Sequence, residues 1–200
     1  QKFYNPNNAI LSLAGNVTVE EGRRLIEKWF GDIPKQEKPI RNIPKEPKQT
    51  EVREKTIERK VPADAFYYVF RMVDRKHEDY FVYDTLSDAL GRDKSSRLYV
   101  SLKKEQNLVS NISAYVMGSL DEGLLVISGK LNDGVSFEEM DAAFWKELDN
   151  AKTIHLSDDE LLKIMNKIRT SKEFGDQGTL NRAMNLCSYE LLGDANMINH

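Results

Sequence analysis

The stretch Ala65-Phe66-Tyr67-Tyr68-Val69-Phe70-Arg71-Met72-Val73 decides the fold class of this chain. Aromatic and β-branched residues dominate it, and such residues favour strands because they pack well on a pleated surface. The stretch therefore predicts a β-strand. A strand must bury its apolar face against other elements, so we expect the surrounding sequence to supply a sheet and a covering layer of helices.

Downstream of this strand, the spacing of apolar residues becomes helical from Glu78 to Leu90, and Gly91 is the expected C′ residue. Ser95 or Ser96 caps a shorter helix that Asn107 can end. Two further strands, residues 109–117 and 124–131, are predicted to pair around a hairpin. The inward side chains of the first helix are predicted to be Phe81, Val82, Leu86, Ala89 and Leu90.

Three helices are predicted to follow the hairpin. Ser136 with Glu139, and Ser157 with Glu160, have the spacing of capping boxes that begin two of them. Residues 179–192 form the third. The order of strands, helices, hairpin and helices predicts an α+β fold, with helices packed on one face of a mainly antiparallel sheet.

Residues 9–33, upstream of these elements, are predicted to form a strand followed by a helix. Residues 9–15 are apolar on both faces, which predicts a buried strand with neighbours on both sides. Thr18 and Glu21 have capping-box spacing and begin a helix that Gly31 ends. We expect the 9–33 unit to dock on a vacant sheet position, within the chain or swapped onto a second copy, since open edges recruit strands.

A proline-rich segment separates these two parts. Four of the six prolines lie within fourteen residues, alternating with charged and amide side chains, which indicates an extended linker. The predicted divisions are 1–33, the tail of a preceding domain; 34–51, the linker; and 52–200, a C-terminally truncated α+β domain. Thr50 to Val61 is predicted to be an edge-like strand of that domain.

Composition excludes several classes of function. The formal net charge is −3 with interspersed signs, so no basic face for nucleic acid is indicated. No apolar run approaches the roughly 18 residues of a membrane span. We expect a soluble chain, with the cytoplasm and the periplasm both open as compartments. Cys187 is alone and lies in an apolar helical pattern, which favours core packing over a nucleophile.

Three stretches resemble the insulinase/pitrilysin-type zinc metallopeptidases, the family with the inverted zinc motif. Residues 3–9, with Gly15-Asn16-Val17 and the later Phe30-Gly31-Asp32-Ile33-Pro34, are similar to a junction between two domains of that family. Residues 90–105, including Ser95-Ser96-Arg97-Leu98-Tyr99, resemble a segment of the following domain. Residues 189–194 fit a later helix.

This resemblance implies a half-clamshell, C-terminal-type portion of a larger peptidase. In the family, a catalytic domain binds zinc through H-x-x-E-H, and a facing domain closes over the peptide and helps hold it. The expected partners are therefore peptide substrate and a catalytic domain, on the same polypeptide or a partner subunit. A scaffold subunit with no role in proteolysis is the alternative. A strand-swapped homodimer is a further expected partner arrangement.

The chain departs from the catalytic pattern of that family. Its three histidines, His77, His155 and His200, are dispersed and match no zinc motif, so we predict neither a catalytic residue nor a metal site here. Zinc is expected only in the catalytic domain of the parent. Where active relatives place a substrate-contacting arginine and tyrosine, alignment gives Lys103 and Ser110. These two are candidate substrate contacts; a solvated helix charge and a strand serine are the alternative interpretation.

Overall fold

The structure, a computed structural model, describes residues 3–40 and 42–199. The chain divides into two compact units: a central unit, residues 59–171, and a terminal unit, residues 1–58 with 172–200. In chain order the helices and strands are α1 (Val19–Phe30), β1 (Ala65–Met72), α2 (Tyr80–Ser87), β2 (Val109–Met117), β3 (Gly123–Leu131), α3 (Phe137–Thr153), α4 (Asp158–Gly175) and α5 (Thr179–Leu192). None of the helices in the described ranges is long and apolar enough to span a membrane.

An antiparallel sheet organises the central unit, with strand order β1-β3-β2. Tyr68 and Ala114 both pair with Ile127, so these three positions share one face of the sheet. Side chains of this face and of the helices over it form one buried cluster. Its members are Phe66, Leu90, Leu98, Leu102, Leu108, Val109, Ile112, Ala114, Ile127, Leu131, Met140 and Phe144. The predicted α+β class, the first strand and the hairpin are confirmed.

Gly129 shows how tightly that inner face is filled. A Cβ atom there would lie 2.5 Å from Phe66 Cζ and 2.6 Å from the Asn111 carbonyl oxygen. Phe66 is directly opposite Gly129 in the register and is buried. The missing side chain on β3 therefore makes room for a ring from β1.

Two π-helical stretches, Asp88–Arg92 and Tyr99–Glu105, replace the ordinary helical ends predicted here. Gly91 is thus inside a π-helical turn, and the prediction that it is a C′ residue is wrong. A Cβ on Gly91 would lie 2.5 Å from the Ala114 amide nitrogen, so glycine lets this stretch approach β2 closely. Asn107, with φ of 54°, does end the second stretch in the left-handed conformation, as predicted.

The predicted inward face of α2 is only partly correct. Ala89 and Leu90 are buried, but Phe81 and Val82 are 67% and 62% exposed. The π-helical stretch changes the hydrogen-bond spacing directly after α2, so a stripe drawn with a constant 3.6-residue period does not continue across it.

The terminal unit contains helices and extended segments. Thr18 caps α1 by accepting a hydrogen bond from the Glu21 amide, as predicted. Residues 9–15, however, pair with no strand in the described ranges, and Leu11 is 52% exposed. The prediction that they form a buried strand is therefore wrong for the described structure, whose sheet consists of β1, β3 and β2, because a strand requires a partner backbone. Docking of the 9–33 unit on a sheet position stays a prediction.

The predicted strand at Thr50 to Val61 is also absent from the described structure. Val52 is 83% exposed and Ile57 is 60% exposed. Their positions explain this, because Val52 has the opposite parity to Ile57 and Val61, so an extended chain could not put all three on one face. The division of the chain at the proline-rich segment stays a prediction. Cys187 is half-buried on α5, with its Sγ 3.8 Å from the Ile10 carbonyl oxygen.

Candidate functional site

The two candidate substrate contacts lie together in the central unit. Lys103 belongs to the second π-helical stretch and Ser110 to β2, and the Lys103 ammonium donates a hydrogen bond to the Ser110 carbonyl. The structure thus brings side by side two positions that the sequence separates by seven residues.

A β-bulge places Ser110 at this point. The β2–β3 register shifts between Val109 and Asn111, so Ser110 is the extra residue in the ladder. A bulge leaves backbone groups outside the regular ladder. Lys103 satisfies the Ser110 carbonyl, while the Ser110 hydroxyl donates to the Lys130 carbonyl oxygen at 3.3 Å.

Two ammonium groups lie close to one aromatic ring beside this bulge. Lys103 Nζ is 5.1 Å and Lys104 Nζ is 5.7 Å from the centroid of Tyr99. Both distances are within the range of cation–π attraction. The patch formed by Tyr99, Lys103, Lys104 and Ser110 is thus basic, and an ammonium that serves one carbonyl keeps further donors for another acceptor.

Arg97, which precedes the second π-helical stretch, joins two of the helices. Its guanidinium binds the Glu160 carboxylate in a bidentate pair of 2.9 and 3.0 Å, and it also donates to the carbonyls of Ile154 and His155. It therefore ties the end of α3 to the start of α4. The hydrogen bond from Arg97, together with the Ser157 amide, lowers the pKa of Glu160 to about 2. Glu160 also completes the predicted capping box with Ser157.

Asp93 makes a second link between the same loop and α4. Its carboxylate accepts from the Ser95 amide and hydroxyl at 2.8 and 2.7 Å, and from Lys163 and Lys167 at 3.4 and 3.5 Å. Burial alone would raise the pKa of Asp93, but the Ser95 hydrogen bonds and the two lysines hold it well below its usual range. Neither the Arg97–Glu160 pair nor the Asp93–Lys163 pair was predicted from the sequence, because the paired residues are more than 60 positions apart and no local pattern indicates them.

A third carboxylate group lies on α2 and the turn that follows. Asp88 is buried and pairs with Arg92 at 2.8 Å. Burial, and then the neighbouring Asp88 charge, raise the pKa of Asp84, while Arg92 and Arg75 oppose the rise. These residues stabilise the helix-to-π-helix transition by an i,i+4 pair.

The described residues do not fit a zinc ion. No group of three or more histidine, cysteine, aspartate or glutamate side chains in the described ranges is placed to hold a metal. His77 Nδ1 accepts a hydrogen bond from the Asp79 amide at 3.2 Å, a local turn contact. His155 contributes its carbonyl oxygen to the hydrogen bonds of Arg97. His200 lies outside the described residues.

Comparison with known proteins gives a consistent result. A model described as the Peptidase M16 inactive domain matches residues 1–168. The zinc protease PqqE of Helicobacter pylori (strain ATCC 700392 / 26695) is 27% identical over 175 residues, which is 86% of this chain and 39% of that protein.

Solved structures show the same fold. A protease from Helicobacter pylori has a TM-score of 0.85 at 22% identity, covering 93% of this chain and 46% of that one. An inactive peptidase domain from Bordetella parapertussis has a TM-score of 0.60 at 19% identity, covering 72% and 79%. The chain spans less than half the length of the two Helicobacter proteins it matches. The family model covers most of the chain, and the chain therefore belongs to the Peptidase M16 inactive domain family, the insulinase/pitrilysin type that its motifs indicated.

Proposed function

We propose that this chain is the non-catalytic domain of a zinc metallopeptidase, where it holds peptide substrate and docks on a catalytic half. The observation that carries the proposal is the match of residues 1–168 to the inactive domain of this peptidase family. The described residues fit no zinc ion. Zinc, and the water it activates, would then belong to the catalytic part of the parent protein, a zinc metalloendopeptidase.

The basic patch at Lys103 and Ser110 is the proposed substrate contact. Lys103 keeps the charge of the arginine expected there, and its ammonium has donors beyond the one used by the Ser110 carbonyl. A peptide carbonyl or carboxylate is the acceptor that such a group suits. Ser110 is exposed, so a peptide can reach this edge of the described central unit.

Kinetics of the zinc-loaded parent protein test this proposal. With fluorescein-labelled casein as substrate, Lys103→Ala should raise KM several-fold and leave kcat unchanged, because the residue binds substrate and does not touch the reacting bond. Lys146→Ala is the matched control, since Lys146 is an exposed lysine on α3 of the same unit and is not part of this patch. An unchanged KM in Lys103→Ala would remove the contact.

A scaffold role is the alternative to substrate holding. If the chain only assembles with a catalytic half, Lys103→Ala should leave KM unchanged. Deleting this domain should still abolish activity by loss of assembly. The KM of Lys103→Ala separates the two roles, and size-exclusion chromatography of the catalytic half with and without residues 1–200 tests the docking that both roles require.

A second copy of the chain is the other proposed partner. Residues 9–15 are extended and unpaired in the described structure, and Ile10, Leu11 and Leu13 are each at least 41% exposed. Such a segment can add to a strand edge of another copy. Light scattering should then give twice 23.0 kDa for residues 1–200, and Leu11→Lys should return the mass to that of one chain. A single-chain mass before the substitution would contradict this arrangement.

A further inference from the structure

A groove opens in the central unit between the end of α2 and the connection from α3 to α4. Its volume is about 150 Å³, the size of a cavity that accepts one benzene ring. Both walls are apolar, and the side chains that form them are Leu86, Ala89 and Leu90 on one side and Ala151, Ile154 and Leu156 on the other. Ala89 and Leu90 are buried whereas Ile154 is 60% exposed, so the groove is closed at its floor and open to solvent at its mouth.

The apolar surface of the groove continues along α2. Val82 and Leu86 are one turn apart on this helix and are 62% and 37% exposed. Leu86 lines the groove, and Val82 extends its apolar wall away from the floor. An apolar row along one helix is matched by a second helix that presents residues at i and i+4. The groove therefore suits an amphipathic helix with one aliphatic side chain in the groove and another over Val82.

Arg97 also lines the groove, but its charge is already matched. Its guanidinium binds both oxygens of the Glu160 carboxylate, at 2.9 and 3.0 Å. This hydrogen bond, and further the charge of Glu147, raise the pKa of Arg97. Glu147 lies one turn before Ala151 on α3, on the face of that helix that reaches the groove. One guanidinium thus lies among two carboxylates, so the groove is not an anion site.

Two further carboxylates lie next to the groove. Asp158 and Asp159 begin α4, directly after the connection that contains Leu156. Among residues 3–40 and 42–199, no lysine or arginine forms an ion pair with Asp158, Asp159 or Glu147. The rim formed by these three residues is therefore acidic and uncompensated, and it is complementary to a partner with basic side chains.

We propose that this groove docks an amphipathic helix of a separate protein, with one aliphatic side chain seated between Leu86 and Ala151 and with lysine or arginine side chains facing the acidic rim. Burial of the aliphatic side chain supplies affinity, and the opposite charges set the orientation of the helix. The surface shares no residue with the basic patch at Lys103 and Ser110. The inference therefore goes beyond the proposed function and adds a second kind of partner.

The competing explanation is a groove that is only incompletely filled, beside acidic residues that serve the macrodipole of α4. Ala151→Leu separates the two explanations, because the longer side chain fills the groove. Ile154→Ser removes part of the apolar wall at an exposed position, so it tests the groove even where the larger side chain disturbs packing. Leu180→Ser is the matched control, since Leu180 is 71% exposed on α5, outside the central unit. Near-ultraviolet circular dichroism verifies the fold of each variant.

Fluorescence anisotropy with residues 1–200 provides the test, using labelled alanine-rich helical peptides of about 16 residues. The first has two leucines one turn apart between lysines, the second has glutamates in place of the lysines, and the third has serines in place of the leucines. We expect the first peptide to bind about tenfold more tightly than either of the others. Ala151→Leu and Ile154→Ser should each remove most of this affinity, whereas Leu180→Ser should retain it.

The acidic rim is tested by the double variant Asp158→Asn with Asp159→Asn. Its preference for the lysine peptide over the glutamate peptide should fall about threefold, since exposed charges contribute modestly. Glu173→Gln, an exposed change on the same helix, should keep the full preference. An unaltered preference in the double variant would mean that the rim does not recognise the basic residues, and would overturn the proposal.

Equal binding of the lysine and glutamate peptides, or full affinity in both Ala151→Leu and Ile154→Ser, would also overturn the proposal. So would binding that weakens as protein concentration rises, because a second copy of the chain would then occupy the groove. Lys103→Ala should leave binding of the lysine peptide unchanged. A loss of binding in that variant would show that the peptide occupies the basic patch, in which case the groove proposal fails and the proposed function is supported.

Discussion

The two outer strands of the sheet, β1 and β2, are held in place by different kinds of contact. β2 is approached closely by the first π-helical stretch at Gly91, and Lys103 donates a hydrogen bond to the carbonyl of its bulge. β1 is held by β3 and by the aromatic contacts of its inner face with α3. The described support of β1 beyond β3 is thus side-chain packing against α3, whereas β2 is also approached closely along its backbone.

The largest effect is expected from Phe144→Ala. Phe144 is fully buried and stacks on Tyr68, so truncation leaves a cavity under β1. We expect the free energy of unfolding to fall by about 3–5 kcal/mol. Urea denaturation followed by tyrosine and tryptophan fluorescence measures it. The control Phe174→Ala removes a ring that is 70% exposed and should change stability by about 0.5 kcal/mol or less. Similar losses in the two variants would show that the packing of Phe144 against β1 contributes no more to stability than an exposed ring does.

The next largest effect concerns the close approach of Gly91 to β2. In Gly91→Ala the new Cβ would lie 2.5 Å from the Ala114 amide nitrogen and 2.8 Å from the Ala114 Cβ. Because both atoms belong to a central part of β2, the π-helical stretch must move away, at a cost of about 1–3 kcal/mol. Gly175→Ala has no atom within 4 Å of the new Cβ and serves as the control. Thermal unfolding of both variants gives the difference, and equal melting temperatures would show that β2 does not need this close approach.

These contrasts also explain what could be predicted from the sequence. Elements with local signals were correctly predicted: the aromatic strand from residue 65, the hairpin, and the capping residues Thr18, Ser136 and Ser157. Each signal lies within a few residues of its structural effect. The resemblance to the family was confirmed by the match to residues 1–168, which include two of the three stretches that carried it.

Features set by distant partners could not be predicted in this way. Residues 9–15 have the composition of a strand, but a strand exists only where another backbone pairs with it. The π-helical stretches depend on how Gly91 fits against β2. The hydrogen bond from the Tyr68 hydroxyl to Asp141 joins residues that are 73 positions apart. For the candidate site, alignment did select the neighbours Lys103 and Ser110, whereas their contact through a bulge carbonyl needed the structure.

A smaller effect is expected from acid titration of the Arg97–Glu160 pair. The pKa of Glu160 is lowered from 4.5 to about 2 in the folded chain, first by the Arg97 hydrogen bond. A carboxylate with a lowered folded pKa adds stability above pH 4.5, and this contribution disappears as the pH falls from 4.5 towards 2. Glu160→Gln should cost about 1 kcal/mol at pH 7, since both groups are partly exposed to solvent.

The variant should also flatten the acid dependence of stability in that pH window. Urea midpoints between pH 7 and pH 2.5 measure the effect, and Glu173→Gln, an exposed position on the same helix, should keep the original profile. Asp93 keeps contributing in the same direction in both variants, so some acid loss will remain. An unchanged profile in Glu160→Gln would mean that α4 is held by Asp93 and apolar contacts without help from Arg97.

The smallest effect on stability is expected at Lys103, beside the bulge of β2 and in the proposed substrate site. Lys103→Ala removes the donor to the Ser110 carbonyl, but Ser110 is exposed and water can replace the ammonium, so the free energy of unfolding should change by about 0.5 kcal/mol or less. Lys104→Ala should behave the same way in urea denaturation. A stability loss above about 1.5 kcal/mol in Lys103→Ala alone would show that the ammonium is a structural part of β2. Its effect on KM would then follow from a displaced bulge. With stability unchanged, a raised KM must come from a lost contact to the peptide, because the fold that positions every other group is still intact.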